Sequence, residues 1–355
     1  MSRPAIAWIN LDHLKHNYRL LETRAGGAII MAVVKANAYG HGLSMVAPAL
    51  FEAGCRTFAV TDAGEGVRLR RCLPDDTASI ILLSGIYDAD DAALCATHHF
   101  IPAISEPEHV TLLQKSDFHD SVWIKVDTGM SRIGAADPAA LVRQAHDAGI
   151  GLAGIMSHLA CADTPEHPMN QAQFQAFNAL HQKVAPAAPA SLLNSAGLIA
   201  MPEHMFDVVR PGIALYGAEP VASEPIGLKP VMQLTGKIMQ LRDLSKGESV
   251  SYGASFIAGK DMRVAVVSLG YADGVPRGLS NLGQVAIRNQ ACPIIGRVCM
   301  DYTLVDVSQC ACEEADTVEF WGNAMPANDV ALLLDTISYT LFTGVGERVL
   351  REAVV

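Results

Sequence analysis

The segment AIIMAVVKANAYGHG, residues 28–42, decides the fold. An unbroken apolar run from Ala28 to Val34 ends on a lysine, Lys35. A run that is apolar at every position, not at every second one, suits a strand covered on both faces, as in parallel sheets. Runs of the same kind return at TFAVT (57–61), SIILLS (79–84), HFIPAI (99–104), VWIKVD (122–127), GLAGIMSH (151–158), ASLLN (190–194) and FDVVR (206–210). Amphipathic helical patterns separate them, among them LSMVAPALFEAG, DAGEGVRLRRCL, PAALVRQAHDAG and MNQAQFQAFNALHQKVA. Eight strand-helix repeats over roughly 200 residues predict an α/β architecture closed into a TIM-like (β/α)8 barrel. A helix in DHLKHNYRLLETRA precedes the first barrel strand.

After Gly217 the rhythm changes. AEPVASEPIGLKP (218–230) reads as a linker, and strand patterns follow without helices between them: PVMQLTGKIMQLRDL, ESVSYGASF, MRVAVVSLGYADG, QVAIRNQACPIIGRVCMDYTLVDVS and DTVEFWG. Their spacing and Gly/Asn turns predict a mainly antiparallel β domain, with a last helix over about 328–343. The expected division is residues 1–222 for the barrel and 223–355 for the β domain. At 355 residues the chain is long enough for two cores.

Composition excludes several classes. A formal charge of -11 with no basic face argues against a nucleic-acid partner. The eight Cys are scattered in apolar surroundings, which reads as reduced thiols in the cytoplasm. Cys310 and Cys312 form a C-x-C without the second ligand pair that a zinc site needs, so no metal is expected. Asp12, Lys15 and His16 interrupt any signal-like run in MSRPAIAWINLDHLKHNY, and no window approaches the roughly 20 apolar residues of a membrane span. A soluble protein is expected.

Lys35, Asp127, His158, Asn194 and Arg210 each stand at the C-terminal end of a predicted strand, and those ends form one mouth in a barrel. A lysine there is costly unless paired or neutralised. It either snorkels to the rim or serves as a Schiff-base amine. The following ANAYGHG, with two Gly and an aromatic, favours a close-fitting turn in which Tyr39 can donate to an anion.

AVVKANAYGHG resembles the pyridoxal-phosphate lysine motif of the alanine racemases. Seven further motifs of that family recur in order: KVDTGMSRIG (125–134), MSHLACAD (156–163), NSAG (194–197), VRPGIALYG (209–217), SYGASF (251–256), GYADGVPR (270–277) and GRVCMDY (296–302). The resemblance runs from about residue 5 to the C-terminus. It implies a barrel followed by a β domain, a pyridoxal 5'-phosphate cofactor on Lys35, and interconversion of L- and D-alanine. That reaction either supplies D-alanine for peptidoglycan or degrades it.

Racemisation needs a proton taken from one face of the α-carbon and returned to the other, so two bases are expected. The resemblance makes Lys35 one and Tyr252, reaching in from a partner subunit, the other; by itself Tyr252 reads as a packed aromatic. It sets Arg210, oriented by His158, against the ring nitrogen. A guanidinium cannot hand over its proton, so the ring remains a weaker electron sink and reprotonation in place outruns transamination. Phosphate is expected at Asn194, Ser195, Gly212 and Ile213, in the loops after the seventh and eighth strands, with Tyr39, after the first, supplying a further hydroxyl. Arg132 is expected on the substrate carboxylate, positioned by Lys125 as a carbamate; a plain Lys125–Asp127 ion pair is the alternative. Tyr271, Cys299, Met300 and Asp301 match positions that line the pocket from the second subunit, which implies a homodimer with shared sites. Some relatives carry a phosphate-binding tyrosine where this chain has Glu347, and no role is transferred there.

Competing readings are a racemase of broader specificity, a fold-related decarboxylase of basic amino acids, and a non-catalytic pyridoxal-phosphate carrier. KVDTGMSRIG disfavours the first, Arg210 in place of an acidic residue the second, and the β domain with Tyr252 the third.

Overall fold

The computed structural model describes residues 4–354. Strand β1 (Ala5–Asn10) leads directly into a helix over Leu11–Arg24. Eight strands then make one parallel sheet: β2 (Ile29–Val33), β3 (Thr57–Val60), β4 (Ser79–Leu82), β5 (Ile101–Ile104), β6 (Ser121–Lys125), β7 (Gly151–Met156), β8 (Ala190–Ser191) and β9 (Val208–Val209). Their order is β8-β7-β6-β5-β4-β3-β2-β9, so from β2 to β8 each strand pairs with its neighbour in sequence, and β9 returns to β2. A parallel bridge between Asn194 and Arg210, in which the Arg210 N–H donates to Leu193 O at 2.9 Å, brings the two ends together.

The expected (β/α)8 barrel is therefore observed, and each of the eight predicted runs contains a strand. β8 and β9 are shorter than ASLLN and FDVVR suggest. Asn194 leaves the ladder to cap the helix Ser195–Ala200, and Pro211 after Arg210 has no N–H to continue pairing. Met31, Phe58, Ile80, Leu82, Ile124 and Ile155 are fully buried, which accounts for strands that are apolar at every position.

The second unit is built on β10 (Met232–Leu244), β11 (Ser249–Val250), β12 (Phe256–Ile257), β13 (Met262–Val267), β14 (Gln284–Ile287), β15 (Gln290–Pro293), β16 (Thr303–Asp306), β17 (Thr317–Trp321) and β18 (Leu350–Val354). Its main sheet runs β15-β14-β17-β10-β1-β18, and β13 extends it from β10 to β16. All these pairs are antiparallel except β1 with β18. The 13-residue β10 is the spine, pairing with β1, β13 and β17 along its length.

Three features differ from the sequence reading. β1 sits in the β unit's sheet, because AIAWIN alternates buried and half-buried residues and fits a sheet between β10 and β18. The closing helix breaks into Ala327–Leu333 and Ser338–Thr343, because Asp335 adopts φ 51° between them and Thr336 N–H turns back to Ala331 O. The described residues then close with β18.

Compact packing groups Leu14–Ala38 and Leu43–Leu228 as the barrel unit. The segment through His13, the four residues Tyr39–Gly42 and the chain from Lys229 onward form the β unit. The linker stays with the barrel unit through Leu228, where Glu219 Oε1 gathers the N–H groups of Ile226, Gly227 and Leu228 at 3.0–3.2 Å. No helix among the described residues is long and apolar enough to cross a membrane.

Ile9 is fully buried on β1. Ile9→Ala is expected to lower unfolding free energy by roughly 2–5 kcal/mol, measured by urea titration. A change below about 1 kcal/mol would mean β1 adds little to the β sheet.

Candidate active site

Lys35 stands two residues beyond the end of β2. Its strand end is pinned on three sides: Val33 N–H donates to Pro211 O, Val34 N–H to Ala59 O, and the Tyr216 hydroxyl to Val33 O, all at 2.9–3.0 Å. The next residues make a turn of left-handed helix, with φ of 51° at Ala36, 54° at Asn37, 55° at Ala38 and 50° at Tyr39. For L-residues with a Cβ that conformation costs about 1–2 kcal/mol each, so surrounding contacts must impose it. Several do. Ala36 N–H donates to Glu65 Oε1 at 2.7 Å, Ala38 N–H to Val34 O at 2.9 Å, and Asn37 Oδ1 accepts the Leu43 N–H at 2.8 Å. At the far end Arg351 Nε donates to Gly40 O at 2.6 Å. Gly40, at φ 78°, lies where a Cβ would strike Phe342 O, so glycine is required.

Lys35 shares the barrel mouth with Lys125, Arg132, His158 and Arg210. Lys125, the last residue of β6, donates to Leu83 O at 2.9 Å. Burial, reinforced by the Arg210, Arg132 and Lys35 charges, holds its amine down to about 8. Burial and the Arg132 charge also lower the Lys35 amine below the ordinary lysine range, opposed only by Glu65. The buried Arg210 donates through Nη1 to Ser191 Oγ and through Nη2 to Ser157 O, Leu192 O and His158 Nδ1, the last at 3.2 Å. Its Nε has no acceptor among these bonds. Burial, then the Arg210, Arg132, Lys125 and Lys35 charges, presses His158 down to about 3, so its ring is neutral at any working pH. A neutral Nδ1 can accept from Arg210 and fix the guanidinium plane.

Asp127 does not pair with Lys125. Its carboxylate accepts the N–H groups of Gly129, Met130 and Arg132, each at 2.8 Å, and so shapes the loop that carries Arg132. Burial pushes the Asp127 carboxyl up, but those backbone donors prevail and hold it below the usual range. A depression at this end of the barrel is lined by Lys125, Asp127, Met130, Arg132, Ser157 and His158.

The loops after β8 and β9 meet. Ser195 Oγ accepts the N–H of Gly212 at 2.9 Å and of Ala214 at 3.3 Å, leaving its own proton for another acceptor. Asn194 Oδ1 caps the Gly197 N–H at 3.0 Å. Ile213 opens a short 3-10 turn, so its N–H has no partner within that turn. Tyr39 is buried, with its ring 5.7 Å from that of Tyr339, and burial pushes its phenol up.

Within the β unit a second set converges. Tyr252 stands 70% exposed on a turn between β11 and β12, next to Ser251 at φ 64°. Ser251 Oγ donates to Arg297 O at 2.7 Å and lies 3.3 Å from Cys299 Sγ. Tyr271 N–H donates to Cys299 O at 2.9 Å and Ala272 N–H to Met300 O at 3.1 Å. Arg348 spans Asp273, which is buried, and the half-exposed Asp301, each at 2.7 Å. Tyr271, Met300 and Tyr302 all expose more than two fifths of their surface there. SYGASF reads as strand in sequence but is this turn, because Ser251, Gly253 and Ala254 take positive φ.

Three partners went unremarked in the sequence: Glu65, Ser157 and Ser191. Glu65 lies in the first turn of the helix Ala63–Cys72 that follows β3, at the barrel end where Lys35 stands, and that position was its available signal. Among the described residues no group of His, Cys, Asp or Glu is arranged to hold a metal.

His158 also carries a stability prediction. Its folded value lies below the roughly 6.5 of an unfolded histidine, so the unfolded chain binds more protons between those limits. Stability contributed at neutral pH is lost as pH falls through that window, by up to about 1.4 kcal/mol per pH unit. Urea titrations at pH 7 and 5 are expected to show a smaller loss for His158→Gln than for the unaltered apoprotein; equal losses would contradict the assigned environment.

Comparison with known proteins accords with this geometry. Residues 9–220 match the family model "Alanine racemase, N-terminal domain" and residues 231–353 match "Alanine racemase, C-terminal domain". A curated alanine racemase from Stutzerimonas stutzeri is 38% identical over 361 residues, covering 99% of each chain. The crystal structure of the biosynthetic alanine racemase from Pseudomonas aeruginosa aligns with a TM-score of 0.91 at 36% identity, over 99% of this chain and 100% of that one. That of alanine racemase from Bartonella henselae, with covalently bound pyridoxal phosphate, gives 0.92 at 34% identity, over 99% of each. With both halves matched in order over nearly the whole length, the chain belongs to the alanine racemase family.

Proposed function

We propose that this protein interconverts L- and D-alanine with pyridoxal phosphate held on Lys35, using Lys35 and Tyr252 as the two bases. The observation that carries the reading is the crowding at the barrel mouth: two lysines, two arginines and a neutral imidazole, with Glu65 the only acidic group among the described residues acting on Lys35. Such a set suits a ligand that brings its own negative charges and an aldehyde. The groups present fit pyridoxal phosphate. A lysine with a lowered amine value is nucleophilic. Ser195 and the N–H groups near Gly212 and Ile213 suit the phosphate, with Asn194 holding their loop and Tyr39 as a further hydroxyl. Arg210 Nε suits a ring nitrogen that stays unprotonated. When bound, the cofactor withdraws electrons from the substrate α-carbon and acidifies its proton.

The chain's own groups then do the rest. Lys35 takes or returns the α-proton on one side, and Tyr252 does so on the other. Arg132 pairs with the substrate carboxylate, and Lys125 as a carbamate holds Arg132. Lowering the Lys125 amine to about 8 raises its free-base fraction near neutral pH by roughly two orders of magnitude, which favours reaction with carbon dioxide. The absent Lys125–Asp127 ion pair leaves that amine available. His158 orients Arg210.

Tyr252, Tyr271, Cys299, Met300 and Asp301 serve the site of a second copy, so the active unit is a homodimer in which residues 1–222 provide the cofactor site and 223–355 the second base. The exposed aromatic and Met surface around Tyr252 supports this. The eight free cysteines support residence in the cytoplasm. A racemase of broader specificity is not favoured, since Lys125 stands where the alanine enzymes use it.

Borohydride reduction of the loaded protein is expected to label the peptide containing Lys35, and a label elsewhere would end the proposal. Tyr252→Phe should keep that label, lose racemisation by roughly 100-fold or more, and retain solvent exchange of the α-proton for one enantiomer only. Equal retention for both enantiomers would remove Tyr252 as a base. Mixing inactive Lys35→Ala and Tyr252→Phe proteins should restore activity through one intact site per mixed dimer; no recovery despite confirmed exchange of subunits would argue against shared sites.

A further inference from the structure

We propose that Glu65 is a positioning residue for the reaction: its carboxylate clamps the left-handed turn that follows Lys35 and supplies the negative charge facing the Lys35 amine. The inference rests on Lys35 being the cofactor lysine.

The geometry is specific. Glu65 Oε1 accepts the Ala36 N–H at 2.7 Å, and Oε2 accepts the Thr61 N–H at 2.8 Å. One carboxylate therefore ties the chain leaving β2 to the chain leaving β3. Ala36 is the first residue of the turn at positive φ, so this bond acts where the backbone departs from the strand. Glu65 is itself held, because its N–H donates to Asp62 Oδ1 at 2.8 Å at the start of the helix Ala63–Cys72. A side chain seated at both ends cannot swing away from Lys35 without releasing the turn.

The charge matters as much as the bonds. Arg132, on the loop after β6, is the charge that opposes the Lys35 ammonium; Lys125 at the end of β6 is a second amine whose own value Lys35 lowers, and His158 after β7 is neutral. Glu65, from the helix after β3, is the acidic one among them, and it favours the ammonium form. Removing it would leave the amine opposed only by basic groups and shift it further toward the neutral form. A residue that merely capped its own helix would have no such influence.

The test follows capture of pyridoxal phosphate by the apoprotein, not turnover. Samples between about pH 6 and 10 are quenched with borohydride at timed intervals, and the reduced Lys35 peptide is quantified by mass spectrometry. For Glu65→Gln the pH midpoint of capture is expected to move down by roughly half to one unit. The limiting rate should fall roughly tenfold as the turn loosens. Glu65→Asp keeps the charge but is too short to reach both N–H groups, so its rate should fall while its midpoint stays near that of the unaltered protein. An unmoved midpoint in Glu65→Gln overturns the proposal, whatever the rate does. If that variant does not fold, an undiminished rate in Glu65→Asp overturns it instead. Failure of the unaltered protein to label Lys35 would remove the cofactor assignment itself, a different result from normal labelling that is indifferent to Glu65.

Discussion

The structure depends on one electrostatic circumstance, the gathering of basic side chains at the C-terminal ends of barrel strands where little opposes them. Burial disfavours the charged form of each amine, repulsion between like charges adds to it, and the amines give up protons more readily. Lys35 and Lys125 both shift that way, and His158 is driven to neutrality. Arg210, lowered by burial to about 10, remains a cation at neutral pH and meets its desolvation with bonds to Ser191, Ser157, Leu192 and His158. The same burial and crowding of positive charge suit the site to groups that carry negative charge.

Holding that arrangement requires backbone in an unfavourable state. A left-handed turn made of two alanines, an asparagine and a tyrosine has no intrinsic reason to form. It persists because Glu65 takes its first N–H, Asn37 ties it to Leu43, and Arg351 takes the Gly40 carbonyl. Within the β unit, Tyr39–Gly42 also pack on Tyr339 and on Phe342, against whose ring His41 stands edge-on at 4.9 Å. Lys35 thus precedes a segment whose shape is imposed by contacts far away in sequence.

The eight barrel strands were legible because parallel strands buried on both faces leave an unmistakable apolar run, and the ends of those runs pointed to Lys35, His158, Asn194 and Arg210. The β unit was less legible. β1 looks like the first element of the barrel half, yet it lies between β10 and β18, since a short alternating strand carries no mark of which sheet will accept it. The turn at Tyr252 and the break at Asp335 escaped because both depend on non-glycine residues at positive φ, which composition seldom announces. Glu65 escaped because a glutamate at the start of a helix reads as a favourable terminal charge, and nothing local reveals which N–H its oxygens meet.

By itself, the sequence determined the barrel, the order of its strands and the family, because hydrophobic period and motif order are local properties written along the chain. Only the tertiary structure decided which groups surround Lys35, that Asp127 shapes a loop instead of neutralising Lys125, and that the turn after the lysine is left-handed. Charge repulsion and backbone strain arise between segments brought together by folding, and their size depends on burial and distance that no stretch of residues contains alone.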